Sequence, residues 1–226
     1  MDTKHIAGLL QPFFTSAASD KSPCHSERGE ESAFLSTDQL NHISMYIDIL
    51  LRWNARMNLT AIREPDEIVT RHFGESLFAA HHLFPNPTPD TRAHLIDLGS
   101  GAGFPGLPIK IWNPRLRVTL IESSQKKSTF LREVIRSIKL TNIDVFNSRA
   151  EAFHGDRADF VTLRAVEHFE SVLAIADALL TNGGELALLI GSAQVEIARK
   201  HVPDYAWSVT SVPRSSNRVL AVGLKS

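Results

Sequence analysis

The sequence predicts an α/β fold: a doubly wound, mostly parallel sheet that ends in an antiparallel hairpin and is preceded by a helical extension. Three observations carry this reading. From Ala93 onward, short β-rich runs alternate with helical stretches, the order that gives a parallel sheet covered by helices. The last two runs are separated only by Pro213 to Asn217, a gap too short for a helical crossover and suited to a hairpin. Before Pro85 the apolar residues recur at helical spacing instead.

The elements follow in order. An apolar run from Ile6 to Phe14 follows Lys4, and Ser16-Ala17-Ala18 resembles a small-residue cleavage site. Gln11 and Pro12 break that run, so the secretory reading is set aside and the cytoplasm is the expected compartment. Thr15 to Leu35 is small, polar and charged, and reads as a disordered or inserted linker closing an N-terminal segment, 1–35. Cys24, His25 and Glu27 fall in it without the second pair of ligands that a zinc site requires. Ser36-Thr37-Asp38-Gln39 has capping-box spacing, and Leu40, Ile43, Ile47, Leu50 and Leu51 carry one helical face up to Trp53. A second helix is expected from Pro65 to about Phe84, with a break at Gly74. The proline-rich segment Pro85-Asn86-Pro87-Thr88-Pro89 then bounds a helical extension, 36–90, from the main domain, 91–226. Strands are expected at His94 to Leu98, Val118 to Ile121, Ile143 to Phe146, Phe160 to Leu163 and Glu185 to Ile190. Trp207 to Val212 and Arg218 to Leu224 supply the hairpin.

Composition narrows the function classes. Apolar residues make up 43% and charged residues 22%, which excludes collagen-like and wholly disordered chains. A single cysteine cannot form an internal disulfide and suits a reducing compartment. The net charge of -1 provides no global field for nucleic acid, so such binding needs a local patch. No run reaches the ~18 consecutive apolar residues of a membrane helix.

The most informative residues follow the first strand: Asp97-Leu98-Gly99-Ser100-Gly101-Ala102-Gly103-Phe104-Pro105-Gly106. Glycines at alternate positions let the backbone turn tightly and approach a ligand, with the next helix expected to start at Pro105. In an open α/β sheet this loop lies at the carboxyl ends of the strands, where ligands bind. A dinucleotide site would need Gly or Ala at the sixth position, where Phe104 stands. Asp97 places a carboxylate at the strand end, which opposes a pyrophosphate and suits a cation. S-adenosyl-L-methionine, positive at its ammonium and sulfonium and free of phosphate, fits better. Glu122 ends the second strand, 23 positions after Gly99, where an acid accepts hydrogen bonds from ribose hydroxyls.

Several motifs resemble one family. Trp53-Asn54 with Met57-Asn58-Leu59-Thr60-Ala61, Arg71-His72 with Glu75-Ser76-Leu77, and the Asp97 to Gly106 loop look like the G-type methyltransferase of bacterial small-subunit ribosomal RNA, also called glucose-inhibited division protein B. Glu122-Ser123 with Lys126-Lys127 and Phe130-Leu131, Ser148-Arg149-Ala150-Glu151, and Arg164-Ala165-Val166 extend the likeness over about residues 36 to 191. The resemblance implies a Rossmann-like class I methyltransferase: a seven-stranded, mostly parallel sheet with an antiparallel C-terminal hairpin and a helical N-terminal extension. It further implies methyl transfer from S-adenosyl-L-methionine to N7 of one guanine in small-subunit ribosomal RNA; the nearly neutral net charge adds the expectation that this RNA is met within the assembled or assembling small subunit. A small-molecule methyltransferase on the same fold is the alternative. Family cofactor positions carry over to Gly99, Phe104, Ala150, Glu151 and Arg164; Asp97, Gly101, Gly103 and Glu122 join them from the loop and ribose arguments. The chain departs from the family in the Thr15 to Leu35 segment and in Ile190, which replaces a basic residue.

The target's chemistry agrees with what the sequence lacks. Guanine N7 has a free lone pair, so attack on a methyl group needs no proton removal, and no catalytic acid, base or nucleophile is expected. Proximity and orientation can supply the acceleration. Arg164, at the fourth strand's end, either positions a ligand or forms a strand-end ion pair. Between Lys110 and Leu140 eight basic residues stand against Glu122 and Glu133, so a local basic surface exists in a near-neutral chain. Lys126, Lys127, Arg132 and Arg136 are the RNA-binding candidates. No metal is expected: the adjacent His81 and His82 diverge on a helix. His72 reads as a buried, hydrogen-bonded histidine, and Trp53, Asn54 and Asn58 as structural.

Overall fold

The computed structural model describes residues 1–15, 34–85, 93–166 and 168–226. Seven strands form one sheet in the order β3-β2-β1-β4-β5-β7-β6. They are β1 (His94–Leu98), β2 (Arg117–Ile121), β3 (Ile143–Phe146), β4 (Ala158–Arg164), β5 (Leu180–Gly191), β6 (Tyr205–Ser211) and β7 (Arg218–Lys225). The first five pair in parallel, whereas β7 runs antiparallel to β5, and β6 to β7. Every expected strand is present, β5 starting earlier than Glu185, and the doubly wound sheet with its terminal hairpin is the architecture read from the sequence. The order reverses at β1, because β2 lies on one side of it and β4 on the other. Such a switch point opens a crevice at the strand ends.

The central strand is buried along its whole length because helices cover both faces. Its two polar side chains find partners on neighbouring strands: His94 shares a hydrogen with Thr119 Oγ1 (2.9 Å), and one carboxylate oxygen of Asp97 accepts from Thr162 Oγ1 (2.8 Å).

The N-terminal elements are α1 (Thr3–Leu10), α2 (Pro12–Thr15) and α3 (Thr37–Asn54). The capping box at Ser36 forms as the spacing predicts, and Gln39 Nε2 also donates to the carbonyls of Ile111 and Trp112, tying α3 to the sheet domain. Helices α1 and α2 were not expected; Ile6, Leu10, Phe13 and Phe14 are buried in the core shared by the extension and one face of the sheet. Gln11 and Pro12 mark the junction of two helices rather than the end of order. The linker reading falls mostly outside the described residues, as do Ser16-Ala17-Ala18, Cys24, His25, Glu27 and the prolines at 87 and 89. At the linker's edges Leu35 is buried and Phe34 stacks on Phe14 at 5.0 Å.

Gly74 corrects a second expectation. The chain continues through it, from α4 (Pro65–Glu67) through a π-helical stretch (Ile68–Gly74) into α5 (Glu75–Leu83). Glycine is required there for close approach, not for a break: a Cβ at position 74 would lie 2.4 Å from the Phe13 ring.

The remaining helices are α6 (Gly106–Trp112), α7 (Gln125–Ser137), α8 (Phe169–Leu179) and α9 (Gln194–His201). Pro105 sits at the N-cap of α6, so the helix starts at Gly106, one residue after the expected start. In α7, Phe130, Leu131 and Val134 are buried while Arg132 and Arg136 are exposed, the two faces of one amphipathic helix. Trp53 meets the buried face, edge-on to Phe130 at 5.7 Å, and donates its indole N–H to Glu133 (3.0 Å). Among the described residues no helix is long and apolar enough to cross a membrane.

Candidate functional site

The loop after β1 is built around three left-handed glycines, Gly99 (φ 72°), Gly101 (φ 56°) and Gly103 (φ 90°). The amides of Gly99 and Ser100 both donate to the Ile121 carbonyl (3.0 Å each), fixing the loop to the end of β2. Glu122 completes this anchor. One of its carboxylate oxygens accepts from Gly101 N (2.8 Å) and the other from Ser124 N (2.7 Å). From the far side, the fully buried Tyr46 of α3 donates its hydroxyl to the Ala102 carbonyl. The glycine loop is thus clamped between β2 and the helical extension. Burial, with the nearby Asp97 carboxylate, raises the Tyr46 phenol well above its ordinary pKa and keeps it a donor.

Above the loop opens a cavity of about 790 Å³, within the range of small-molecule sites. Gly99, Gly101, Phe104, Glu122, Ala150, Glu151 and Arg164 all line it. Seven sequence-predicted residues from four separate stretches of chain therefore converge on one space. Asp97 and Gly103 do not reach its wall. Asp97 is 1% exposed and lies beneath the loop, and Gly103 faces Tyr46 and Leu107. Lys127 lines the cavity, while Lys126, Arg132 and Arg136 are exposed on α7 away from it.

Other members of the basic run are already engaged, which reduces the patch read from sequence. Lys110 is buried and donates to the carbonyls of Pro114 and Leu116; burial lowers its pKa to about 8. Arg117 pairs with Asp156 at 2.9 Å.

Asp97 carries the clearest electrostatic signature. Burial pushes its carboxyl up to about 6, opposed by the Thr162 hydrogen bond, and its Oδ2 has no hydrogen-bond partner. A carboxyl whose folded pKa is raised holds its proton in the folded state after the unfolded chain has lost it. The stabilising contribution is therefore complete below the ordinary value of 3.8 and is lost as pH rises through about 6. Asp97→Asn, an uncharged mimic of the protonated group, is expected to raise Tm at pH 8 and to leave it nearly unchanged at pH 3, below the whole window. Thermal melts at the two pH values check this, and a variant less stable at both would refute the account.

The opposite end of the cavity is organised by Glu75, which the sequence reading had not singled out. Its carboxylate is 2% exposed and is met by three guanidinium groups: Arg71 (3.3 Å), Arg164 (3.1 Å) and Arg218 (3.0 Å). Both readings of Arg164 hold together, because it forms a strand-end ion pair and also lines the cavity. Its terminal nitrogens reach Arg71 O (2.7 Å) and His72 Nδ1 (2.9 Å) as well. Since a guanidinium can only donate, Nδ1 of His72 is the acceptor and the ring proton sits on Nε2, which donates to Thr60 Oγ1 at 2.7 Å. Burial and the surrounding arginines agree, lowering the His72 pKa to about 3. His72 is thus the neutral, hydrogen-bonded histidine expected, and it lines the cavity too. Asn54 satisfies the turn that carries Thr60, accepting its amide at 3.0 Å.

Thr60, His72 and Arg218 are cavity residues that the sequence did not reveal as such. The Arg71-His72 and Glu75-Ser76-Leu77 motifs were visible, but nothing in their spacing announced a contact with β4 or β7.

A seven-stranded sheet of this order, with a glycine loop at its switch point and a cavity across the strand ends, defines the class I methyltransferase fold. Solved structures agree: a ribosomal protein L11 methylase from Lactobacillus delbrueckii subsp. bulgaricus superposes with TM-score 0.57 at 12% identity, covering 69% of this chain and 79% of that one. An O-methyltransferase family protein from Burkholderia thailandensis gives 0.55 at 16% identity, covering 84% and 71%. At such identities the likeness concerns the fold alone. Sequence relatives are more specific. The chain is 39% identical over 166 residues to a protein named ribosomal RNA small subunit methyltransferase G from Xanthomonas euvesicatoria pv. vesicatoria, covering 73% of this chain and 75% of that one. It is 41% identical over 169 residues to the protein of that name from Desulfitobacterium hafniense, covering 72% and 68%. The family model for rRNA small subunit methyltransferase G matches residues 39–222, and the chain belongs to that family.

Proposed function

We propose that this protein transfers a methyl group from S-adenosyl-L-methionine to N7 of a specific guanine in small-subunit (16S) ribosomal RNA. One observation supports the reading most directly. The cavity of about 790 Å³ joins an acid-braced glycine loop to a pocket end whose histidine is held neutral and whose arginine is held by a carboxylate. Neither group is set up to remove a proton, which suits an acceptor atom with a free lone pair.

The residues present fit the cofactor. A Cβ at Gly101 would meet nothing closer than 3.8 Å, so the loop offers an open backbone surface, and the unpartnered Asp97 Oδ2 beneath it favours a cationic group nearby. Gly99, Gly101 and Phe104 would hold the cofactor along the loop, with Gly103 shaping it, Glu122 at the ribose, Ala150 and Glu151 beyond β3, and Arg164 at the β4 end. Asp97 acts through charge from below. S-adenosyl-L-methionine, when bound, supplies an electrophilic methyl group on a sulfonium. The chain's own contribution is orientation: pinned arginines and a fixed imidazole keep the acceptor end in one geometry, and positioning of this kind is worth up to ~7–11 kcal/mol.

In this reading, residues 36–90 form a helical extension that helps bind RNA, residues 91–226 form the methyltransferase domain, and the protein works in the cytoplasm. Lys126, Lys127, Arg132 and Arg136 on α7 contact phosphates. A chain of net charge -1 gains little non-specific affinity, so RNA within an assembled or assembling small subunit is the better substrate.

The deciding experiment incubates the protein with labelled S-adenosyl-L-methionine and small subunits from cells lacking the activity, then maps N7-methylguanine. Label at one guanine supports the proposal. Label on free metabolites and none on subunits would favour the small-molecule alternative. Lys126→Ala with Lys127→Ala is expected to weaken RNA binding and flatten its salt dependence, reducing the slope by about 2 at most, while cofactor affinity is unchanged. Parallel titrations of RNA and cofactor check this; equal loss of both would count against a surface role.

A further inference from the structure

The cavity has two chemically distinct ends. One lies over β1, β2 and β3, where Gly99, Glu122 and Glu151 gather; the other lies over β4 and β7, where Arg164 and Arg218 meet His72. With a cofactor nucleoside at the first end, as proposed above, the second is left for the methyl acceptor.

His72 is constrained there on three sides. Nδ1 accepts from Arg164 (2.9 Å), Nε2 donates to Thr60 (2.7 Å), and one ring face stacks on Phe104 with centroids 4.6 Å apart and planes 20° from parallel. Phe104 is in turn stacked on Tyr46 at 5.4 Å and 6°. Three near-parallel rings therefore form a column that ends at the cavity wall. With both nitrogens and one face of His72 engaged, the surface it has left for the cavity is its other face.

We propose that His72 is a stacking platform for the acceptor, taking a planar purine base on its free face; this rests on the guanine-N7 reading above. Stacking fixes the plane of the base and leaves its edge, with the in-plane N7 lone pair, free to point along the methyl-transfer direction. It also suits the change of charge. Methylation at N7 makes the base ring cationic, and a cation is attracted by the face of a neutral ring and repelled by a charged one. The bond from Arg164 requires that neutrality, since an imidazolium has no lone pair to accept it. Base stacking on aromatic side chains is tolerant of sequence and strong enough to hold an unpaired nucleotide.

Two substitutions separate stacking from support of Arg164. His72→Asn removes the ring but places an amide oxygen near the former Nδ1, where it can still accept from Arg164. His72→Phe keeps a ring and loses that acceptor. Measured on the full chain, with small subunits at saturating cofactor, His72→Asn is expected to lower kcat/KM for the acceptor at least tenfold while the cofactor Kd stays within twofold. His72→Phe is expected to weaken the cofactor Kd more than His72→Asn does, yet to keep the acceptor KM within about threefold. The proposal is overturned if His72→Asn leaves acceptor kinetics unchanged, or if it reduces cofactor and acceptor affinities in the same proportion, the mark of a residue that only supports Arg164. Absence of transfer by the unsubstituted chain would instead overturn the functional reading, and the platform with it.

Discussion

Glu75→Leu is expected to destabilise the fold by about 3–5 kcal/mol, the usual cost of removing one partner from a buried ion pair. The substitution is mild in size, so the loss comes from charge. Arg164 is 9% exposed and Arg218 21% exposed at the side chain, and both are left without their carboxylate in a partly dry pocket. Arg71, 46% exposed, can turn to water and adds little. Urea unfolding checks this as a fall in midpoint at constant m. A loss below about 1 kcal/mol would mean that the two guanidinium groups find water or other acceptors, against the view that Glu75 organises this end of the site. The effect on function is expected to exceed that on stability, because both arginines line the cavity and lose their orientation together.

Gly103→Ala is expected to weaken cofactor binding about a hundredfold while the sheet remains folded. Position 103 has φ of 90°, outside the comfortable range of an L-residue, and a Cβ there would lie 2.5 Å from both the Tyr46 hydroxyl and Leu107 Cδ1. Leu107 can rotate, but Tyr46 is held by its bond to Ala102 and by rings on several sides. The loop must therefore move, and a loss of about 2–3 kcal/mol in its contacts with the cofactor corresponds to roughly a hundredfold in Kd. Calorimetric titration with S-adenosyl-L-methionine, beside a circular dichroism spectrum, tests both halves. Wild-type affinity in Gly103→Ala would show that the loop tolerates the shift.

These expectations divide according to what the sequence made legible. The strands were readable because a sheet covered on both faces turns β-branched, apolar runs into a local signal, and Ser36 with Gln39 announced a helix start through two residues three apart. The seven cavity residues were also readable, since each sits inside a compact motif. What escaped depends on distance. Glu75 meets Arg164 and Arg218 across 89 and 143 positions, and no local pattern records such a meeting. Helix α1 escaped for another reason: at eight residues it is too short to be stable alone, and it exists because Ile6 and Leu10 find a core to enter. Gly74 misled for the same cause, its local meaning being a break and its tertiary meaning a seat for Phe13. Lys110 counted toward a basic surface only until folding took it inside.

The three guanidinium groups around Glu75 also set an order of events during synthesis. The carboxylate and Arg71 leave the ribosome early, Arg164 much later, and Arg218 only with the final strand. Until β7 joins the sheet, a growing chain carries a carboxylate destined for the interior with part of its counter-charge still unmade. Completion of the Glu75 end of the cavity is thus coupled to the last pairing of the sheet, and a chain halted before Arg218 would leave that carboxylate with two of its three guanidinium partners.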